Sequence, residues 1–77
     1  MNRFEMIKRI NTFRTQKKDW DSYGADPINK ATIELALSMV DKLDLSENWF
    51  VAPCSGGEIM FESEYGSILN VWREDNE

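Results

Sequence analysis

The chain has 77 residues and a formal net charge of -5, with 42% hydrophobic and 30% charged residues. This composition is typical of a globular protein, and the length suffices for one small domain. The sequence holds no histidine and one cysteine, Cys54, which excludes an intramolecular disulfide, a Cys/His zinc site and histidine-dependent catalysis. We therefore expect a single non-enzymatic domain over residues 1–77, without metal or cofactor.

The first predicted element is a helix over residues 2–16. Its apolar side chains recur at helical spacing on one half of the helical wheel, and they are Phe4, Met6, Ile7, Ile10 and Phe13. Residues 1–18 also carry six cations against one anion, whereas residues 19–77 carry three cations against thirteen anions. The chain thus joins a basic helix to an acidic body, a polarity that can steer association with a charged partner.

Residues 19–28, with the sequence DWDSYGADPI, predict a turn-rich loop. Gly24 admits a positive φ, and the proline of this segment keeps the residue before it extended. The spacing of Asp19, Asp21 and Gly24 is similar to the start of an EF-hand calcium loop, but Lys30 stands where the closing glutamate belongs. We therefore predict no metal site in this loop.

A second helix is predicted over residues 29–44. Asn29 is the expected N-cap, and Ile28 and Ile33 stand at the two positions of a hydrophobic staple. The apolar stripe of this helix has regular helical spacing, and its members are Ile33, Ala36, Leu37, Val40 and Leu43.

The hydrophobic period then changes to two, which predicts three strands at residues 49–54, 58–63 and 67–73. Short turns between them imply an antiparallel meander, and Pro53 favours an edge position for the first strand. The predicted fold is α+β, with two N-terminal helices packed on one face of a three-stranded antiparallel sheet in the order α-α-β-β-β. The opposite face is expected to present Glu58, Met60, Glu62 and Trp72.

The segment WDSYGADPI at residues 20–28 is followed by an alanine-containing helix, by Pro53 and by the sequence GGEI at residues 56–59. This arrangement resembles small uncharacterised bacterial and phage proteins with a WDGYGA motif, a proline, a helix and a glycine-glycine hairpin. The likeness covers residues 19–72 and departs from the family pattern at Ser22, where the family has glycine, and at residues 61–64, where it has a tryptophan. That family has no established activity, so the resemblance implies a fold and a mobile-element context.

The aromatic residues of the loop allow two interpretations. As a scaffold, Trp20 and Tyr23 would plug the junction between the helices and the sheet, with Asp21 capping nearby backbone amides. As a contact surface, the same residues would meet a partner, because aromatic side chains supply much of the energy of protein interfaces.

We predict a non-enzymatic protein-binding module. In this hypothesis it is a phage or mobile-element inhibitor that docks by shape and charge on a larger host protein or ribonucleoprotein complex, as anti-CRISPR and other anti-defence proteins do. The candidate partner-binding residues are aromatic or acidic, with one methionine. They are Asp19, Trp20, Asp21, Tyr23, Asp26, Glu58, Met60, Glu62, Glu64 and Trp72.

Two alternatives come from other classes. The first is an antitoxin-like regulator that neutralises a partner toxin and binds DNA through the basic helix. Its candidate residues are Arg3, Lys8, Arg9, Arg14, Lys17 and Lys18. The acidic body disfavours direct nucleic-acid binding. The second alternative is a small-ligand or nucleotide-binding module in which Trp20 and Tyr23 form a stacking pair.

The expected surroundings of the chain follow from its apolar pattern and its thiol. No apolar run approaches the length that spans a bilayer, and residues 1–5 do not begin a secretory signal. The single cysteine suits a reducing compartment. We expect a cytoplasmic location in a bacterial or phage-infected cell and no membrane partner, while a homodimer is an open alternative.

Overall fold

A computed structural model describes residues 1–75. Helix α1 spans Arg3–Thr12 and continues as a 3-10 turn over Phe13–Thr15, and helix α2 spans Lys30–Val40. Strands β1, β2 and β3 span Trp49–Pro53, Ile59–Ser63 and Ile68–Val71. They pair antiparallel in the order β1-β2-β3. Helix α1 packs over β1, and α2 packs over β2 and β3. The predicted α+β fold and element order are confirmed.

Both helices begin at asparagine caps. The Asn2 side chain accepts a hydrogen bond from the Glu5 backbone N–H at 2.8 Å, and the Glu5 carboxylate accepts one from the Asn2 N–H at 3.0 Å. This reciprocal capping box satisfies two backbone donors. Asn29 caps α2 as predicted, accepting from the Thr32 N–H at 2.7 Å. Within residues 1–75, neither helix combines the length and the apolar character needed to cross a bilayer.

The buried face of α1 differs from the prediction at one position. Met6 and Ile10 have no exposed surface, whereas Phe4 is 72% exposed. At 100° per residue, Phe4 lies about 160° around the helix from Met6. The pair Met6 and Ile10, with Phe13 one turn further on, therefore faces the sheet and turns Phe4 towards solvent. The prediction that Phe4 belongs to the buried stripe is wrong.

The core lies between the helices and the inner face of the sheet. On the central strand, Ile59 and Phe61 point inward and are fully buried, as the alternation predicts. Both helices, the loop before α2 and all three strands contribute to one cluster. Its members are Met6, Ile10, Phe13, Ile28, Ile33, Ala36, Val40, Trp49, Val51, Ile59, Phe61 and Val71.

The ends of two elements come earlier than predicted. Helix α2 stops at Val40, four residues before the predicted end at 44, because the Lys42 N–H donates to the Met39 carbonyl at 2.9 Å in a tighter final turn. Strand β3 stops at Val71, two residues before the predicted end at 73, because the backbone of Arg73 turns towards α2. Trp72, predicted on the strand, lies just beyond it.

A two-way contact holds the chain after β3 against the start of α2. The Arg73 N–H donates to the Thr32 hydroxyl at 3.0 Å, and that hydroxyl donates to the Arg73 carbonyl at 3.1 Å. The Asn29 side-chain amide donates to the same carbonyl at 2.9 Å. Thr32 is fully buried, so its hydroxyl has exchanged water for these partners.

The free edge of β1 is covered. Hydrogen bonds from Cys54 to Glu58 and from Glu64 to Asn48 flank the β1–β2 ladder, so the backbone groups of Trp49, Val51 and Pro53 point away from β2. The Arg9 guanidinium donates to the Val51 carbonyl at 2.6 Å, and the Met1 ammonium donates to the Trp49 carbonyl at 3.0 Å. Pro53, the third of these outward residues, has no backbone N–H to donate. The free edge of β1 is therefore a poor template for pairing with another strand.

We expect Thr32→Val to lower the free energy of unfolding by about 1–3 kcal/mol, since it leaves the Arg73 N–H without its acceptor and the Arg73 carbonyl with the Asn29 amide alone. Urea denaturation followed by tryptophan fluorescence measures the change. Thr12→Val is the matched control, because the Thr12 hydroxyl is exposed and donates only to the Arg9 carbonyl; its effect should stay within about 0.5 kcal/mol. Equal losses in the two variants would show that the contact with Arg73 contributes nothing.

Candidate functional site

Hydrogen bonds inside the 19–28 loop occupy its first two carboxylates. The Asp19 carboxylate accepts from the Gly24 N–H at 2.6 Å. The Asp21 carboxylate accepts from the Tyr23 and Ala25 N–H groups at 2.8 and 3.1 Å. Backbone amides are thus their partners in a compact turn. Within residues 1–75, no three or more acidic, cysteine or histidine side chains are grouped so as to hold a metal ion.

The same loop is fixed to its surroundings through Trp20 and Asp26. The Trp20 indole N–H donates to the Asp26 carbonyl at 2.7 Å, and the Lys18 ammonium pairs with the Asp26 carboxylate at 2.6 Å. The Asp26 N–H donates to the carbonyl of Ser55, in the turn between β1 and β2, at 2.8 Å. Trp20 is half-buried. For Trp20 and the three aspartates, the scaffold interpretation therefore has direct structural support.

Tyr23 stands apart from the rest of the loop. Its side chain is 91% exposed, so it does not plug the junction between helices and sheet, and that expectation is wrong for this residue. The backbone explains the outcome, because Ser22 and Gly24 on either side adopt positive φ angles of 66° and 83°. These left-handed residues bend the chain around Tyr23. The loop thus presents one unengaged aromatic ring to solvent.

The face of the sheet opposite the helices is uncovered, and we call it the outer face. Alternation along the strands and the strand register place two rows of side chains on it. The first row runs across β1, β2 and β3 as Phe50, Glu62 and Ile68, and the second as Ala52, Met60 and Asn70. Phe50 is 58% exposed and Ile68 is 57% exposed. Two large apolar side chains, one on each outer strand, therefore face solvent on the same side of the sheet.

Carboxylates and a tryptophan complete the outer face. Glu62 lies between Phe50 and Ile68 in the first row. Trp72, just beyond β3, is 56% exposed, and Glu58 is half-buried beside the β1–β2 turn. Alternation along β2 thus brings Glu58, Met60 and Glu62 to the same side of the sheet, and Trp72 is exposed next to the end of β3. Glu64 lies at the β2–β3 turn, where its carboxylate accepts from the Asn48 side chain at 3.3 Å.

Sequence reasoning missed the two exposed apolar residues of the first row. Phe50 follows Trp49, and the alternation that turns Trp49 inward turns Phe50 outward. Ile68 alternates with Leu69 in the same way. The alternation of buried and exposed residues along β1 and β3 is the signal that could have found both residues.

Most of the basic residues near the N-terminus have structural partners. Arg3 forms an ion pair with Asp41, which lowers the pKa of that carboxyl below its usual value through the hydrogen bond. Arg9 reaches the Val51 carbonyl. Arg14 donates to Asn11 at 2.9 Å, and Lys18 pairs with Asp26. In the part of the chain that the structure describes, only Lys8 and Lys17 of the six cations are without such a hydrogen bond or ion pair.

An open depression of about 390 Å³ lies on the exposed side of α1. It is lined by Met1, Phe4, Glu5, Lys8, Arg9 and Thr12. Phe4 is its one large apolar side chain, and all of its lining comes from the N-terminus and one helix. Ligand pockets are concave and converge polar groups from several elements, so this depression has the shape of a surface irregularity.

Cys54 is held in its thiol form. Its pKa is raised, first by partial burial and second by the nearby negative charge of Glu58. The thiolate is the nucleophilic form of cysteine, and activation requires a lowered pKa. The surroundings of Cys54 therefore work against its use as a nucleophile.

Comparison of the chain with protein-family models, curated proteins and solved structures finds no match. The resemblance to proteins with a WDGYGA motif stays a prediction that rests on the loop residues alone. The structure adds one physical observation to it. Ser22, where that family has glycine, adopts a left-handed φ of 66°, a conformation that glycine adopts without steric cost.

We expect Ser22→Gly to raise the free energy of unfolding by about 0.5 kcal/mol. A left-handed conformation costs an ordinary residue roughly 1–2 kcal/mol, and the greater unfolded-state freedom of glycine offsets roughly 0.5–1 kcal/mol of the gain. Urea denaturation provides the measurement. The same change at Ser38, within helix α2, should instead lower stability by about 0.5 kcal/mol. A loss of stability in Ser22→Gly would contradict the strain at this position.

We expect the rate of Cys54 alkylation by iodoacetamide to reach half its maximum at a higher pH than that of a cysteine in a short unstructured peptide. Glu58→Gln should move this midpoint to lower pH, because it removes the negative charge that opposes thiolate formation. Glu62→Gln, which changes the next carboxylate along the same strand, serves as the control and should leave the midpoint in place. A midpoint at or below that of the peptide would contradict the raised pKa.

Proposed function

We propose that this chain is a non-enzymatic protein-binding module that docks on a larger partner through the outer face of its sheet. One observation carries the proposal: Phe50 and Ile68, both more than half exposed, lie on the side of the sheet that the helices leave uncovered, and Trp72, also more than half exposed, directly follows β3. Contiguous apolar side chains on the surface of a small domain mark interaction sites more often than isolated ones do.

Aromatic anchors make such a face suitable for tight contact. Phenylalanine and tryptophan bury large areas and lose little rotamer freedom when they are immobilised. Removal of apolar surface from water contributes about 25 cal/mol per Å² before the cost of association is subtracted. Phe50 lies on strand β1 and Trp72 directly follows strand β3. The packed sheet therefore fixes the backbone of both residues before binding.

The charge of the outer face selects the chemistry of the partner. None of the six side chains in its two rows is a cation, and Glu62 occupies the centre of the first row. A partner that covers Phe50 and Ile68 also takes the Glu62 carboxylate out of water, which is costly unless a cation meets it. The proposed partner surface is therefore apolar with lysine or arginine among its contacts, in keeping with the net charge of -5.

The two alternative functions receive less support from the contacts. Direct DNA binding would use the basic cluster, but Arg3, Arg9, Arg14 and Lys18 are engaged within the chain. Nucleotide stacking would use Trp20 and Tyr23 together, but the Trp20 indole is tied to the loop backbone. The finer hypotheses, an inhibitor of a host defence complex in the cytoplasm or an antitoxin, stay predictions from the sequence.

We expect Phe50→Lys to abolish capture of the partner in an affinity pull-down from bacterial lysate. The substitution removes the apolar ring that the partner would cover, and it adds a cation that repels the lysine or arginine of the partner surface. Phe4→Lys is the matched control. It makes the same substitution at a residue that is also more than half exposed but lies on α1.

Mass spectrometry compares the proteins retained by wild type and by the two variants, with circular dichroism to verify that both variants are folded. A protein retained by wild type and by Phe4→Lys, and lost from Phe50→Lys, supports docking through the outer face. Identical retention by all three, or no retained protein at all, would overturn the proposal.

A further inference from the structure

The two free edges of the sheet differ in their exposure. Along β1, the Arg9 guanidinium, the Met1 ammonium and Pro53 occupy or remove the outward backbone groups. Along β3, the bond from the Ser63 N–H to the Ser67 carbonyl at 2.8 Å starts the ladder. Odd-numbered residues of β3 therefore bond to β2, and the backbone groups of Ile68 and Asn70 point outward. We call these outward groups the β3 edge.

The β3 edge has no partner among residues 1–75. No hydrogen bond from another segment reaches the backbone of Ile68 or Asn70 in the described part of the chain. Both side chains are exposed, so no neighbouring element shields this edge. An unpaired row of N–H and carbonyl groups is a template for an added strand. Small proteins usually block such edges with charge, proline or a covering element, as β1 does here.

Charge around the β3 edge indicates what kind of strand it would accept. Strand β3 itself, Ile68–Val71, has no charged residue. Carboxylates occur towards both of its ends, with Glu62 paired with Ile68 at the start and with Glu74 and Asp75 following in the chain after Arg73, the one cation of this segment. An incoming strand is therefore favoured when its middle is uncharged and its two ends are cationic.

A second copy of this chain does not meet that requirement. Antiparallel pairing of β3 with itself brings the end that holds Glu64 next to the end of the other copy that holds Glu74 and Asp75. Like charges on opposed strands are destabilising, and each copy carries a net charge of -5. The same surface that attracts a basic strand therefore opposes self-pairing.

We propose that the β3 edge binds an extended segment of the partner protein as a fourth strand, and that this segment alternates apolar residues in its middle and carries lysine or arginine at both ends. The inference rests on the proposed function, because it names the partner chemistry of the same surface. Backbone pairing with Ile68 and Asn70 supplies the register. The alternate side chains of the added strand then lie beside Ile68 and Trp72 on the outer face.

Titration of the isotope-labelled protein with the peptide KKVTVTVKK, followed by NMR, tests this proposal, with EEVTVTVEE as the matched peptide of opposite charge. We expect the basic peptide to bind and to slow hydrogen exchange of the Ile68 and Asn70 amides. The acidic peptide should bind at least about tenfold more weakly, because the glutamates at both of its ends meet carboxylates of the protein.

Two variants separate backbone pairing from general attraction. Asn70→Pro removes an outward N–H at a position where an edge strand tolerates proline, and it should weaken binding about tenfold. Ile68→Lys places a cation in the path of the basic peptide and should weaken it by a similar factor. Phe4→Lys adds the same charge far from the edge and should change the affinity less than twofold.

Each outcome is decisive for the strand-addition proposal. Three results would overturn it: absence of binding by KKVTVTVKK, equal binding of both peptides, or unchanged affinity in Asn70→Pro. Concentration-dependent protection of the Ile68 and Asn70 amides in the protein alone would also overturn it, because it would indicate a dimer. If the Phe50→Lys pull-down still loses its partner in those cases, docking through the outer face stands and only strand addition fails.

Discussion

Burial of Ile59 and Phe61 on the central strand is the interaction on which the rest of this structure depends. Both side chains lose all exposure beneath two helices of 10 and 11 residues. Helices of that length cover one face of a three-stranded sheet, and residues 1–75 hold no further helix or strand for the other face. Small domains leave much of their surface uncovered for this reason. The outer face is thus a geometric consequence of how the core is made.

The basic N-terminal segment has an architectural role that its composition conceals. The Arg9 guanidinium donates to the edge of β1 and lies 6.0 Å from the centre of the Phe13 ring, a distance at which cation and ring attract each other. Arg3 joins α1 to the end of α2 through Asp41. Positive charge is therefore used to fasten the first helix to its neighbours.

Regular patterns made the fold predictable. The change from helical spacing to strict alternation gave the order of elements, and the asparagine before α2 marked its start. Phe4 was misplaced because five apolar residues in one helix allow more than one buried stripe, and only packing against β1 decides between them. The predicted end of β3 was wrong because the backbone of Arg73 forms its hydrogen bonds with Thr32, which lies 41 residues earlier in the chain. A partner so distant leaves no local signal.

The candidate surface was only partly predictable. Glu62 and Met60 follow from alternation on β2, whereas the fate of the loop residues depended on hydrogen bonds that are invisible in sequence. Trp20 and Tyr23 are three residues apart and chemically alike, yet one is tied to the loop backbone and the other is 91% exposed. Left-handed φ angles at Ser22 and Gly24 produce that difference, and serine is not a residue type that indicates such a conformation.

The contact between Thr32 and Arg73 also bears on how the molecule is made. Its partners are 41 residues apart, and those of the Arg9 contact with Val51 are 42 apart. Contacts of long sequence separation close large loops and slow the search for the native state. During synthesis, helix α2 leaves the ribosome well before the segment that secures its first turn. Helices of 10 and 11 residues are marginal in isolation, so both helices depend for their stability on strands that are synthesised after them.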